Sequence, residues 1–205
     1  MIKYKQAMRM VVVFASMTGF MWAQAHNLNQ ATKISQDHFL IDAERSQVDF
    51  AVNHLEFMTI RGAFTEYDAM LRMAGMDWTT LELHATIDTA SIYTGRGILD
   101  DNLRSVDFFD VVTYPQITFS SLTVVPHGTE YLMSGLLTMK GVTQEVILTL
   151  AILDTVTDAR GHTRMQIRLS GELNRQTYGV SQGGMPDRLI NDIVRLDVRL
   201  EAIRQ

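Results

Sequence analysis

The stretch Asp101-Asn-Leu-Arg-Ser-Val-Asp-Phe-Phe-Asp110 runs into Val111-Val-Thr-Tyr-Pro115 and then into Gln116-Ile-Thr-Phe-Ser120. Leu103, Val106, Phe108 and Phe109 stand among Asp101, Asp107 and Asp110, the make-up of a short amphipathic helix or turn. Pro115 ends it, because proline has no N–H to donate and pushes the residue before it into extended backbone. Beyond the proline the period changes to two, with Ile117 and Phe119 on one side and Thr118 and Ser120 on the other. One brief helical insertion set against strands is the pattern to trace outward.

The same two-residue alternation dominates the chain from about Phe39. Val48, Phe50, Val52 and His54 share one face, with Asp49, Ala51 and Asn53 on the other. Gly62 and Phe64 open a second strand read as running to about Leu71, and Leu81, Leu83, Ala85 and Ile87 mark a third. Strands follow over 117–125, 131–139 and 142–153, with Gly128, Lys140-Gly141 and Asp158 to Gly161 at the breaks. Met165, Ile167, Leu169 and Leu173 alternate next, and Val194, Leu196, Val198 and Leu200 close the series. These amount to roughly eight strands with mostly short connections, the signature of an all-β antiparallel barrel or sandwich. Two long interruptions stand out, residues 89–115 and 174–190. Alternation alone fits a barrel that holds a small ligand and a sandwich that fills the same face with core.

The first residues read as a targeting segment. Lys3, Lys5 and Arg9 precede an apolar run from Met10 to Trp22, and Ala23-Gln24-Ala25 has the small-x-small form of a cleavage site. Residues 1–25 are therefore expected to be a signal peptide cut after Ala25, residues 26–37 a flexible polar leader, and residues 38–205 the folded domain. The expected destination is outside the cytoplasm. Loss of residues 1–25 leaves 15 basic against 23 acidic side chains. That balance argues against nucleic acid, which needs a basic face, and against adhesion to anionic lipid. The chain has no cysteine, so disulfides, thiolate metal sites and cysteine nucleophiles are excluded.

Candidate site residues fall into three groups. Val48, Phe50, Val52, Phe64, Phe119, Leu148 and Leu150 form the inward apolar face, which either packs as core or lines a ligand tunnel. His54, Arg175 and Tyr178 could meet a polar head group at the mouth; each could equally be structural, Arg175 by tying down the 174–190 loop. Leu103, Phe108 and Phe109 would cap one end of the fold, as a plug or as a lid. The six histidines are scattered without a metal-ligand spacing, so no metal site is expected. Gly179-Val-Ser-Gln-Gly183 fits the G-x-S-x-G pattern, but no histidine lies beyond His162 to complete the order Ser, Asp, His. No catalytic residue is expected.

From about Phe39 to Ala202 the order of segments closely resembles the YceI-like family of periplasmic, lipocalin-like, isoprenoid-binding proteins. The resemblance rests on Ser46-Gln-Val-Asp-Phe-Ala-Val-Asn-His54, Gly62 with Phe64, Ile87-Asp88 with Ser91, Ile92 and Thr94, and the run quoted first. It continues through Tyr131, Gly135, Leu137, Lys140-Gly-Val-Thr143, Asn174-Arg175 and Tyr178-Gly-Val180. Arg45 stands where the family often has histidine, and residues 65–76 lack the glycine usual after the phenylalanine. The resemblance implies an eight-stranded antiparallel lipocalin-like barrel with a short helical insertion near residues 98–112. It further implies a long-chain isoprenoid or similar amphipathic lipid in the lumen, and no cofactor beyond such a polyisoprenoid or quinone-like lipid. A long tail calls for an elongated pocket of roughly 1,000 Å³. A homodimer is plausible by resemblance and because two-fold pairing is common. The alternatives are an enzyme working in the same cavity with His54 as base, and a stress-protective interaction module.

Overall fold

The computed structural model describes residues 36–55, 57–159, 161–181 and 189–205. The expected signal peptide, residues 26–35 of the leader, and Gln182-Gly183 of the G-x-S-x-G match lie outside the described residues. In chain order the strands are β1 (Gln36–Ile41), β2 (Gln47–His54), β3 (Met58–Phe64), β4 (Tyr67–Ala74), β5 (Glu82–Asp88) and β6 (Ile92–Tyr93). After one α-helix, α1 (Gly97–Arg104), come β7 (Gln116–His127), β8 (Glu130–Met139), β9 (Val142–Thr157), β10 (Thr163–Asn174) and β11 (Ile190–Arg204). β1 takes in Gln36 and Asp37, which the sequence reading left in the leader; Asp37 pairs with Met73 of β4.

All pairings are antiparallel, and eight strands close on themselves in the order β1-β4-β5-β7-β8-β9-β10-β11, with β11 returning to β1. The fold is the closed eight-stranded barrel with one helix that the family resemblance implied. Its membership differs from the sequence reading. The strand read as running from Gly62 to Leu71 is broken at Thr65-Glu66 into β3 and β4. β1 and β2 are likewise separated by a 3-10 turn at Ala43–Arg45. β11 is long enough to carry both halves along one edge, pairing β2 through Ile190 to Arg199 and β1 through Ala202 to Arg204. β4 continues the wall to β5, while β3 turns to pair with β6. The wall therefore divides, and the segment between β5 and β7 enters beside β6.

A polar knot holds the first break. Glu201 points outward from β11 yet is only 5 % exposed, beneath the turn. Its carboxylate accepts from Arg164 (2.7 Å), Gln166 (2.9 Å) and Arg45 (3.1 Å), and its backbone N–H donates to Ser46 Oγ. These bonds, that from Gln166 foremost, hold the Glu201 carboxyl below the usual carboxylate range against the opposing effect of burial.

The turns follow their sequence signals. Lys140-Gly141 joins β8 to β9 with φ of 50° and 74°, the left-handed pair that a two-residue hairpin of matching twist needs. The inward faces of the ring make one apolar core. Phe39, Leu71, Met73, Met133, Leu150, Met165 and Ile167 are fully buried toward the end where β1 begins.

Candidate functional site

The opposite end, where β2 finishes at His54 and β11 starts at Ile190, holds a cavity of about 260 Å³. Strand parity places Val52 and His54 of β2, Ile60 and Phe64 of β3, Leu173 of β10 and Val194 of β11 on its wall. A second cavity of about 100 Å³ lies deeper, lined by Val48, Ala85, Ile117, Phe119, Leu148 and Val198 among others. Phe50, Phe64, Met139, Leu173 and Leu196 line both, so these five side chains make the septum, the stretch of lumen where the two cavities adjoin. The two cavities, about 260 and about 100 Å³, are well below the elongated volume expected from the sequence.

The expected lumen residues separate along this axis. Val52 lines the outer cavity; Val48, Phe119 and Leu148 line the inner one; Phe50 and Phe64 line both. Leu150 lines neither cavity: it is fully buried, paired with Tyr131 and Leu169, one pleat nearer the other end of the barrel. Met139, Leu196, Ile60 and Val180 line the lumen without having been singled out. The parity of Leu196 with Val194 and Val198 carried that signal; Met139 and Val180 sit at turns, where parity stops informing.

A cover lies at the outer cavity. Leu99, Asn102 and Leu103 of α1, with Phe108 and Phe109 after it, line that cavity together. Asp100, only 4 % exposed, accepts from the Thr94 N–H (2.8 Å) and the Thr94 hydroxyl (2.6 Å), tying α1 to the end of β6. Arg104 donates to the carbonyls of Ala90 (2.8 Å) and Ile92 (2.6 Å). Past the helix the chain folds back: the Phe109 N–H reaches the Leu103 carbonyl, and Asp110 takes a left-handed φ of 48°. Phe109 meets Phe64 edge-on at 6.0 Å, so the cover rests directly on the septum.

Besides Asn102 of the cover, three polar residues line the outer cavity, and they differ in what holds them. Arg175 is buried, and its guanidinium donates to the carbonyls of Val180 (3.0 Å), Asn191 (3.1 Å) and Ile190 (3.1 Å) and to Asp192 Oδ1 (3.2 Å). The structure uses it to bind the 3-10 turn at Arg175–Tyr178 to the start of β11. Tyr178 is 2 % exposed and its hydroxyl has no hydrogen-bond partner among the described residues. Burial pushes its pKa up, keeping the phenol protonated and able to donate. His54 Nδ1 is also buried without a partner. Unpaired buried polar atoms are uncommon and costly, and these two belong to residues that line one cavity, though the atoms themselves are buried. Among the described residues no group of three or more His, Cys, Asp or Glu is placed to hold a metal ion, and no helix is long and apolar enough to cross a membrane. Gly179, the first residue of the G-x-S-x-G match, ends a 3-10 turn with φ 67° rather than leaving a strand for a helix.

Comparison with known proteins agrees with this geometry. The model of the YceI-like domain matches residues 39–202. Protein YceI of Salmonella newport is 26% identical over 164 residues, covering 80% of this chain and 84% of the relative. The crystal structure of BcnA from Burkholderia cenocepacia superposes with a TM-score of 0.70 at 24% identity, over 78% of this chain and 98% of that one. A polyisoprenoid binding domain from Saccharophagus degradans, implicated in plant cell wall breakdown, superposes with a TM-score of 0.60 at 17% identity, over 83% of this chain and all of the other. With its family model spanning nearly the whole barrel, the chain belongs to the YceI-like family.

Proposed function

We propose that this protein is an exported, periplasmic binding protein that holds the tail of an isoprenoid-type amphiphile in the barrel lumen, with the polar end at His54 and Tyr178. The observation that carries the reading is the outer cavity itself: an apolar chamber beneath a hydrogen-bonded cover, lined by two residues, His54 and Tyr178, that each keep a buried polar atom without a partner among the described residues. Each methylene moved from water into such a chamber contributes about 0.8 kcal/mol. A tail of several carbons therefore supplies most of the affinity, and a single hydrogen bond to Tyr178 or His54 orients it. The polyisoprenoid binding of the Saccharophagus neighbour supports the ligand class, and the basic-apolar-AQA start of the chain supports export. Among the described residues, no carboxylate lines the outer cavity beside His54, so a catalytic reading with His54 as base lacks that support.

The test is extraction of lipid from protein purified out of a periplasm, followed by mass spectrometry. An isoprenoid-type lipid present near one per chain is the expected result. Protein that carries no lipid, and takes none up from an isoprenoid mixture, would refute the proposal.

A further inference from the structure

We infer that Phe50 and Phe64 form a fixed stop that limits chain length, so that the ligand is a short isoprenoid-type amphiphile whose tail ends in the outer cavity. The inference rests on the lipid-binding reading above and sharpens it. The two rings are 5.8 Å apart and tilted by 46°, and they stand where the outer and inner cavities meet. Beyond them lies about 100 Å³, against about 260 Å³ in front.

Each ring is backed by a neighbour. Phe50 lies over Gly62, its cross-strand partner. A Cβ at Gly62 would stand 2.4 Å from Phe50 Cζ, so the ring already occupies the space that the glycine leaves and cannot retreat further. Phe64 is 8 % exposed and is held edge-on by Phe109 of the cover. The cover in turn is fastened through Asp100 and Arg104 to Thr94, Ala90 and Ile92. Moving Phe64 thus means lifting the cover, and moving Phe50 means entering the lumen. Met139, Leu173 and Leu196 complete the septum from the other walls. A tail that continued inward would need both rings displaced, and the inner chamber would still be small for it.

The test offers the full chain an equimolar mixture of farnesol, geranylgeraniol and solanesol, and reads bound alcohols by native mass spectrometry. Wild-type protein, Phe50→Ala and Phe64→Leu are compared, with circular dichroism to show that each is folded. Wild type should retain farnesol at least about tenfold over solanesol, the preference expected of a stop worth one decade in affinity. Each variant, by joining the chambers, should shift that ratio toward solanesol by about tenfold. Equal retention of all three alcohols by wild type would overturn the stop while leaving lipid binding intact, as would an unchanged ratio in both folded variants. Retention of no alcohol by any of the proteins would overturn the lipid reading and the stop together. If a variant does not fold, the wild-type ratio decides.

Discussion

Arg175→Met separates a loop tie from a head-group contact. The guanidinium's hydrogen bonds include three to main-chain carbonyls, at Val180, Asn191 and Ile190, and one to Asp192. Its bond to Val180 is buried, while those to Asn191 and Ile190 are part-buried. Removing the donor strands the Val180 carbonyl at a cost of about 1–3 kcal/mol, and the other two, which water can partly reach, fall toward the low end of that range. The Asp192 carboxylate is about half exposed, so the ion pair itself adds little. The total comes to about 3–5 kcal/mol, a large share of the 5–15 kcal/mol typical of a folded domain. For a domain of this size that lowers the midpoint of thermal unfolding by on the order of 10 °C. Urea unfolding followed by circular dichroism measures it, and farnesol binding to whatever fraction remains folded should be nearly unchanged. A variant within about 0.5 kcal/mol of wild type, the range of an ordinary surface substitution, that had nonetheless lost ligand affinity would refute the assignment. It would make Arg175 the head-group contact instead.

Other variants test the remaining assignments. Tyr178→Phe removes a hydroxyl that has no partner among the described residues, so stability should hold or rise by about 1 kcal/mol while ligand affinity falls by a factor of about five; unfolding curves and titration calorimetry read the two. The Glu201 carboxyl is held below its ordinary range by Gln166, Arg164 and Arg45, so its stabilisation is complete at neutral pH and is lost as the pH falls through the ordinary carboxylate range and then through the lowered folded value. Glu201→Gln should lower stability at neutral pH and flatten that acid limb, measured as unfolding midpoint against pH. Gly135→Ala would put a Cβ 2.8 Å from the Ser120 carbonyl oxygen and 2.3 Å from the Phe119 ring, costing about 1–3 kcal/mol. Gly62→Ala meets mainly the tip of the Phe50 ring and the Thr94 methyl; it should cost less in urea unfolding yet push the ring into the lumen and reduce alcohol uptake.

The all-β class, the turns and most inward faces were legible because a period of two is local information. Val48, Phe50 and Val52 alternate whatever they later meet, and Lys140-Gly141 announces its hairpin unaided. What was not legible depends on which strands become neighbours. Thr65-Glu66 breaks a strand without proline or glycine; it breaks because β3 is drawn to β6 while β4 is drawn to β1 and β5. The size of the lumen was hidden for the same reason. Sequence parity places Phe50 and Gly62 on inward faces of their strands, but only their register as direct partners lays one ring over the other's missing side chain. Arg175 could be read as head-group contact or loop tie, because the carbonyls that claim it lie at Asn191 and Ile190, across an interruption from it in sequence.

The divided wall and the septum have one physical origin. A strand paired along its whole length would carry β1 and β2 in one register and leave no place for an insertion to enter. The turn at Ala43–Arg45, held by Glu201 from below, and the break at Thr65-Glu66 let the wall part, so that β6 lies beside β3 and brings the cover with it. Phe109 then reaches Phe64, the residue that ends β3 at that parting. Glu201 and the septum are thereby coupled through backbone placement rather than through contact. If that coupling holds, Glu201→Gln should loosen the Phe64–Phe109 packing as well as the turn, and hydrogen exchange should rise at the Phe109 amide along with those around Ser46. Faster exchange at Ser46 alone would show that the break and the cover are held independently, and the stop at Phe64 would then depend on the Asp100 and Arg104 anchors only.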